Sequence, residues 1–179
     1  MKNIWEELYN AYPVNSEMIW LNNCGTTPAS KYSIELCKEF LDAYSKKGVL
    51  NDFAKFNDVH SSLTGILSGL LNCKQDELAI MHNTAEGINF ISRGLKLDKG
   101  SEILLLENEY PSNVYPWEHW KEKGVNLKVI PVGKTKSKFL DNLRSLLTTS
   151  TRLISISSVH WCTGMPLPLK EVGEICKKN

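Results

Sequence analysis

The sequence predicts an α/β fold in which N-terminal helices are followed by βα repeats forming a parallel or mostly parallel sheet. Three observations carry this. From Glu77 onward, short apolar runs alternate strictly with segments of helical periodicity; the runs are continuously apolar; and a turn of polar or aromatic residues follows most of them. A strand buried on both faces reads as an unbroken apolar run, and parallel neighbours need a crossover of the length these helices supply.

Taken in order, residues 2–11 have helical spacing, with Glu6 and Glu7 near the start. MIWL (18–21) reads as a short strand entering NNCGTTP, where Gly25 and Pro28 break regular structure. A helix over 30–47 places Ile34, Cys37, Phe40, Leu41 and Tyr44 on one face, and Gly48 closes it. A second over 52–71 sets Phe53, Phe56, Val59, Leu63, Ile66, Leu67 and Leu70 at helical spacing. The repeats are then ELAIM (77–81) with helix 84–95, EILLLE (102–107) with 112–123, LKVIPV (127–132) with 137–147, and RLISISS (152–158) with 168–178. Residues 1–75 are thus an N-terminal helical arm and 76–179 an α/β part, built as one structural unit.

Composition narrows the function classes. The 179 residues carry 21 Lys and Arg against 20 Asp and Glu, a formal charge of +1, and no basic run exceeds two residues. An electrostatic nucleic-acid surface is not expected. Cysteines 24, 37, 73, 162 and 176 have no metal-type spacing, and their odd number argues against a disulfide framework, so a reducing, cytoplasmic setting is expected. The N-terminus lacks a cationic, apolar-cored leader, and no segment is apolar over a membrane's thickness, so no membrane role is expected.

The stretch LAIMHNTAEGINFISRGL (78–95) runs an apolar strand through a polar turn into a helix. Asn83 is a good helix N-cap, and Glu86 can reach back to close a capping box. The same turn leaves N–H groups free at the positive end of a helix dipole, which suits a phosphate, and Gly87 allows close approach. Both readings stand on these residues. Two other strands end in NEYPSN and VHWCTG, and ligands of open parallel sheets sit beyond the carboxyl ends of the strands, so the three turns can share one site. A dinucleotide site is not supported: there is no GxGxxG, and the acidic strand end Glu107 to Glu109 follows no such motif; a Walker A loop is absent as well.

WLNNCGTTPAS, NTAEGIN, ENEYPSNVYPWEHW and TRLISISSVHWCTGMPLPLKEVGEIC, in this order and spacing, resemble the class V aminotransferase family. These are fold-type I pyridoxal phosphate enzymes, among them cysteine desulfurases, kynureninase and isopenicillin N epimerase-like proteins. The resemblance implies part of a fold-type I large domain, with pyridoxal 5′-phosphate as cofactor and an amino acid as substrate. It implies that Thr84 and Ala85 cradle the cofactor phosphate, with Ala85 offering only its N–H where desulfurases commonly have Thr. It implies that Tyr110 stacks on the pyridine ring and that two more residues bind the cofactor: Asn113, the polar residue of the same turn, and Trp161, which stands where desulfurases usually have an Asn reaching the cofactor's phenolic oxygen. Tyr110 and Trp161 also have plain packing readings. His82 and His160 have structural readings beside acid–base ones. Cys24 is not assigned as a nucleophile.

The family's chemistry also uses an aspartate against the pyridine nitrogen and a Schiff-base lysine, both expected beyond Asn179. No lysine here has that context: Lys134, Lys136, Lys138 and Lys170 read as solvated surface. The expectation is therefore the N-terminal portion of such an enzyme, of desulfurase, C–S lyase or epimerase type and inactive alone, assembling as a homodimer or with a complementary C-terminal chain. The alternatives are a non-catalytic binding or interaction module on this fold, or a nucleotide-binding α/β domain. An in-frame continuation carrying the aspartate and the lysine distinguishes the enzyme from both.

Overall fold

The computed structural model describes residues 3–23, 25–48 and 53–178, with side chains throughout except at 53–57. The chain forms two compact units, Met1–Leu78 and Ala79–Asn179.

The N-terminal unit is helical. Helix α1 (Ile4–Ala11) starts at Asn3, whose side chain accepts from the Trp5 amide, and a single turn α2 (Val14–Glu17) follows. Helix α3 (Lys31–Lys47) is capped by Ser30, which accepts from Ser33 N at 3.1 Å. It stops at Gly48, whose φ of 55° and ψ of −137° are a conformation open to glycine and strained for other residues. Helix α4 (Phe53–Leu71) leads to a 3-10 turn, Gln75–Glu77. The apolar face expected of α3 exists but is uncovered: Ile34, Phe40, Leu41 and Tyr44 are all exposed, and no residue of α3 is buried. The strand expected at 18–21 does not form. Ile19 and Leu21 are largely exposed, and no strand pairs with this segment among the described residues. Extended backbone becomes a strand only when a neighbour takes its N–H and C=O groups.

The second unit has the expected α/β plan. In order it comprises α5 (Thr84–Gly94), β1 (Glu102–Leu106), a 3-10 turn Pro111–Asn113, α6 (Tyr115–Glu122), β2 (Asn126–Ile130), α7 (Lys136–Leu146), β3 (Thr151–Ser155) and α8 (Leu169–Lys178). The three strands are all parallel, in the order β2-β1-β3. Glu102 faces Asn126 on one side and Thr151 on the other, and a register shift after Glu102 brings Ile103 opposite Leu153.

Central position explains why β1 is apolar after Glu102: all five residues are buried, and the four that follow Glu102 alternate between two cores. Leu104 and Leu106 face Ile130, Phe139, Leu143 and Val172, so α7 and α8 cover that side. Ile103 and Leu105 face Trp117, Trp120 and Val125, with Ile88 of α5 packed alongside, so α5 and α6 cover the other.

Three expected elements differ. ELAIM forms no strand, and Ile80 and Met81 are exposed, so the described sheet has three strands rather than four. The helix expected over 112–123 is divided at Val114, and the second piece carries Pro116 in its first turn, where a missing N–H costs nothing. Strand pairing in RLISISS stops at Ser155, because Ser157 N donates to the Glu109 carboxylate instead of to a strand.

At the amino end of β1, Glu102 is buried and bonds Lys128 Nζ at 2.6 Å, with Thr148 and Thr151 hydroxyls also donating. The Lys128 bond is the main cause holding its carboxyl below the ordinary value of 4.5, and the two threonines assist. Glu86 is lowered too, chiefly by the His82 backbone N–H. Both groups bind protons less readily folded than unfolded. Their stabilisation is therefore complete above the ordinary value and is lost as pH falls through the folded ones. Melting temperature should stay level from about pH 7 to about pH 5 and drop below that, with a smaller drop in Glu102→Gln. A melting temperature that holds or rises on acidification contradicts this.

Candidate functional site

Beyond the carboxyl ends of β1 and β3, the segments 107–113 and 156–165 are laced together. Chain direction changes at Asn108, which is left-handed at φ 49°. Trp161 Nε1 donates to Asn108 O at 2.6 Å. His160, buried, places Nε2 at 3.1 Å from Glu107 O and Nδ1 at 2.9 Å from Thr163 Oγ1. A carbonyl only accepts, so Nε2 carries a proton in that contact, and both ring nitrogens are spent on bracing the turn. Of the two readings of His160, the structural one holds. His82 is exposed and paired with Glu86 at 3.0 Å.

Glu109 is the hub of the two segments. It is 6% exposed and accepts four bonds: Tyr110 N at 2.8 Å and Ser157 Oγ at 2.7 Å on Oε1, Ser157 N at 2.8 Å and Asn113 Nδ2 at 3.3 Å on Oε2. Asn113 is buried, and its Oδ1 accepts from Trp117 Nε1 and Ser155 Oγ. Its amide is thus committed within the protein.

Tyr110 and Trp161 meet at this end of the sheet. Their ring centroids are 5.3 Å apart at 88°, the edge-to-face geometry that aromatic quadrupoles favour. Both rings remain about half exposed, at 47% and 54%. The indole N–H of Trp161 is already bonded, so Trp161 offers a ring surface rather than a donor.

Of the capping box expected before α5 only the Asn83 half forms, because the Glu86 carboxylate reaches past the cap amide to that of His82. Asn83 Oδ1 accepts from Glu86 N at 2.9 Å, and the Glu86 carboxylate accepts from His82 N at 2.8 Å. Thr84 N, Ala85 N and the Thr84 hydroxyl have no partner among the described residues. Gly87 is not closely approached there, since a Cβ would meet Met81 Cγ at an ordinary 3.7 Å. α5 packs against the Pro111–Asn113 turn and against α6, where Ser92 Oγ donates to Pro116 O at 2.6 Å and Trp120 Nε1 to Ser92 O at 3.2 Å. The free helix start and the aromatic pair are therefore carried by one packed unit.

The residues present fit pyridoxal 5′-phosphate by donor chemistry. Two free amides and a hydroxyl at a helix N-terminus suit a phosphate, and an exposed edge-to-face pair suits a planar ring. The site is open. A cleft of about 400 Å³ lies elsewhere, between α7 and α8, lined by Arg144, Leu147, Glu171 and Lys178 among others. Among the described residues no group of three or more His, Cys, Asp or Glu could hold a metal, and no helix is long and apolar enough to cross a membrane. Cys24 lies outside the described residues.

Comparison with known proteins agrees with this architecture. The aminotransferase class-V family model matches residues 19–179, and the chain belongs to that family. Curated relatives include a probable cysteine desulfurase of Methanothermobacter thermautotrophicus, 23% identical over 95% of this chain and 43% of the relative. A cysteine desulfurase of Synechococcus elongatus is 24% identical over 98% of this chain and 29% of its own length. The Escherichia coli cysteine desulfurase CsdA superposes with a TM-score of 0.82 at 18% identity, over 97% of this chain and 46% of that one. A C-DES variant with glycine covalently linked to its pyridoxal phosphate cofactor superposes at 0.81, with 22% identity over 96% and 46%. The fold is thus part of the fold-type I domain shared with these enzymes, and the chain spans less than half the length of these relatives.

Glu109 is the residue that sequence reasoning passed over. In the sequence it reads only as an acidic strand end that follows no dinucleotide motif, and its signal is a carboxylate directly before Tyr110.

Proposed function

We propose that this chain is the cofactor-binding part of a pyridoxal phosphate-dependent enzyme acting on an amino acid. Carbon–sulfur cleavage of desulfurase or C–S lyase type is the favoured chemistry, with epimerase chemistry a further member of the same class. The observation that carries this reading is the exposed Tyr110–Trp161 pair at the strand ends, in the same unit as an α5 N-terminus with unpaired amides. When bound, the cofactor supplies an electron sink for bond changes at the α or β carbon of the substrate.

The Thr84 and Ala85 amides, with the Thr84 hydroxyl, take the phosphate, helped by the dipole of α5. The Tyr110 ring stacks on the pyridine ring and keeps water from one face, while Trp161 borders the site as an apolar wall. Asn113 serves by fixing the turn that bears Tyr110. The names of the relatives support sulfur chemistry: one similar structure is described as the cystine C–S lyase C-DES with its product cysteine persulfide.

Replacing Tyr110 tests the reading. Tyr110→Ala should remove an aromatic contact of about 0.5–1.5 kcal/mol, weakening cofactor affinity several-fold up to about tenfold, while Tyr110→Phe keeps most of it. A packing tyrosine would instead lower the apo melting temperature and leave affinity untouched.

Among the described residues the apolar face of α3 is exposed and the outer edges of β2 and β3 are unpaired, which supports assembly with a second copy or a complementary chain. Light scattering should report a species larger than the monomer. A clean monomer over a wide concentration range, with cooperative unfolding, counts against assembly.

A further inference from the structure

We propose that Glu109 is a positioning residue for the aromatic site: its buried carboxylate clamps the turn after β1 to the segment after β3 and so sets the angle between Tyr110 and Trp161. The inference rests on the cofactor reading for its purpose but not for its geometry.

All four bonds that Glu109 accepts join these two segments or tighten one of them. Tyr110 N and Asn113 Nδ2 belong to the first, and Ser157 N and Oγ to the second. Tyr110 follows Glu109 directly, and Trp161 lies four residues beyond Ser157. A carboxylate suits this place because it only accepts, at both oxygens, and every group around it donates. An amide of the same shape does not. In one orientation of Glu109→Gln the NH₂ group meets Ser157 N and Asn113 Nδ2; in the other it meets Tyr110 N. Either way a donor faces a donor, and the clamp opens.

Other contacts alone do not fix the rings. Trp161 Nε1 to Asn108 O and His160 Nε2 to Glu107 O join the same two segments but hold the Trp161 side, whereas Tyr110 has no side-chain hydrogen bond among the described residues and its backbone is held by Glu109. Glu102 makes a useful contrast. It is also buried and also takes bonds from separate segments, but it sits at the opposite end of β1.

The test labels the chain with fluorotryptophan and reads fluorine resonances, assigning Trp161 by its loss in Trp161→Phe. In Glu109→Gln the Trp161 resonance should move towards that of free, solvated fluorotryptophan, while Trp120 in the core holds its position. Affinity for deoxypyridoxine phosphate, which lacks the reactive aldehyde, should fall about tenfold. Glu102→Gln should lower the melting temperature and leave Trp161 and affinity alone. Where Glu109→Gln does not fold, Ser157→Ala, which removes one of the four bonds, should move Trp161 the same way by less. An unmoved Trp161, or one that moves equally in Glu102→Gln, overturns the proposal. If Trp161 moves as expected but the unaltered chain binds no deoxypyridoxine phosphate, the clamp stands and the cofactor reading fails.

Discussion

Trp117→Ala is expected to cost the α/β unit about 3–5 kcal/mol of stability, the usual range for emptying a large aromatic from a core. Trp117 is 1% exposed and packs with Ile103, Leu105, Trp120 and Val125 on the α6 side of the sheet. Its indole N–H also reaches Asn113 Oδ1, at 3.4 Å, so the same change takes a donor from the network beneath Tyr110. Phe139→Ala, on the opposite face, opens a comparable cavity without touching that network. The two variants should therefore unfold at similarly lowered urea midpoints, while only Trp117→Ala disturbs the tyrosine signal in near-ultraviolet circular dichroism. A loss below about 1 kcal/mol for Trp117→Ala would mean that the core on this side is not packed as described.

The second large effect is expected at the start of α5. Thr84→Pro should weaken binding of a phosphorylated ligand by about tenfold to a hundredfold, the worth of a hydrogen bond to a charged group. It should do so without harming the fold. Thr84 is the first helical residue, where proline is favoured, and Asn83 before it is extended at φ −163° and ψ 168°, the conformation a residue before proline adopts. The amide it deletes has no acceptor among the described residues, and the Asn83–Glu86 cap is retained. An unchanged apo melting temperature with weakened ligand binding is the expected pair of results. Equal affinities in the two proteins would remove the helix N-terminus from the site.

Elements whose identity is local were legible in the sequence. The buried run EILLL announced β1, and Asn83 caps α5 as its position foretold. MIWL and ELAIM were misread because alternating or apolar extended segments look alike whether or not a neighbouring strand exists to pair with them. The geometry of the candidate site is legible in part. Tyr110, Asn113 and Trp161 stood out by their turns and by family resemblance, yet nothing local tells that the first and third meet edge to face. Nor does Glu109 declare itself, because its role depends on Ser157, 48 residues away in sequence. The Asn113 amide looked available for the same reason, and only the fold commits it to Trp117, Ser155 and Glu109.

In the proposed function the α5 N-terminus holds a phosphate while Tyr110 and Trp161 hold its ring. Calorimetric titration of deoxypyridoxine phosphate and deoxypyridoxine into the unaltered chain, Thr84→Pro and Tyr110→Ala tests it most directly. The unaltered chain should prefer the phosphorylated ligand, Thr84→Pro should lose that preference, and Tyr110→Ala should weaken both ligands by the same factor. Equal affinity of the unaltered chain for the two ligands, or a preference that survives Thr84→Pro, would contradict the account.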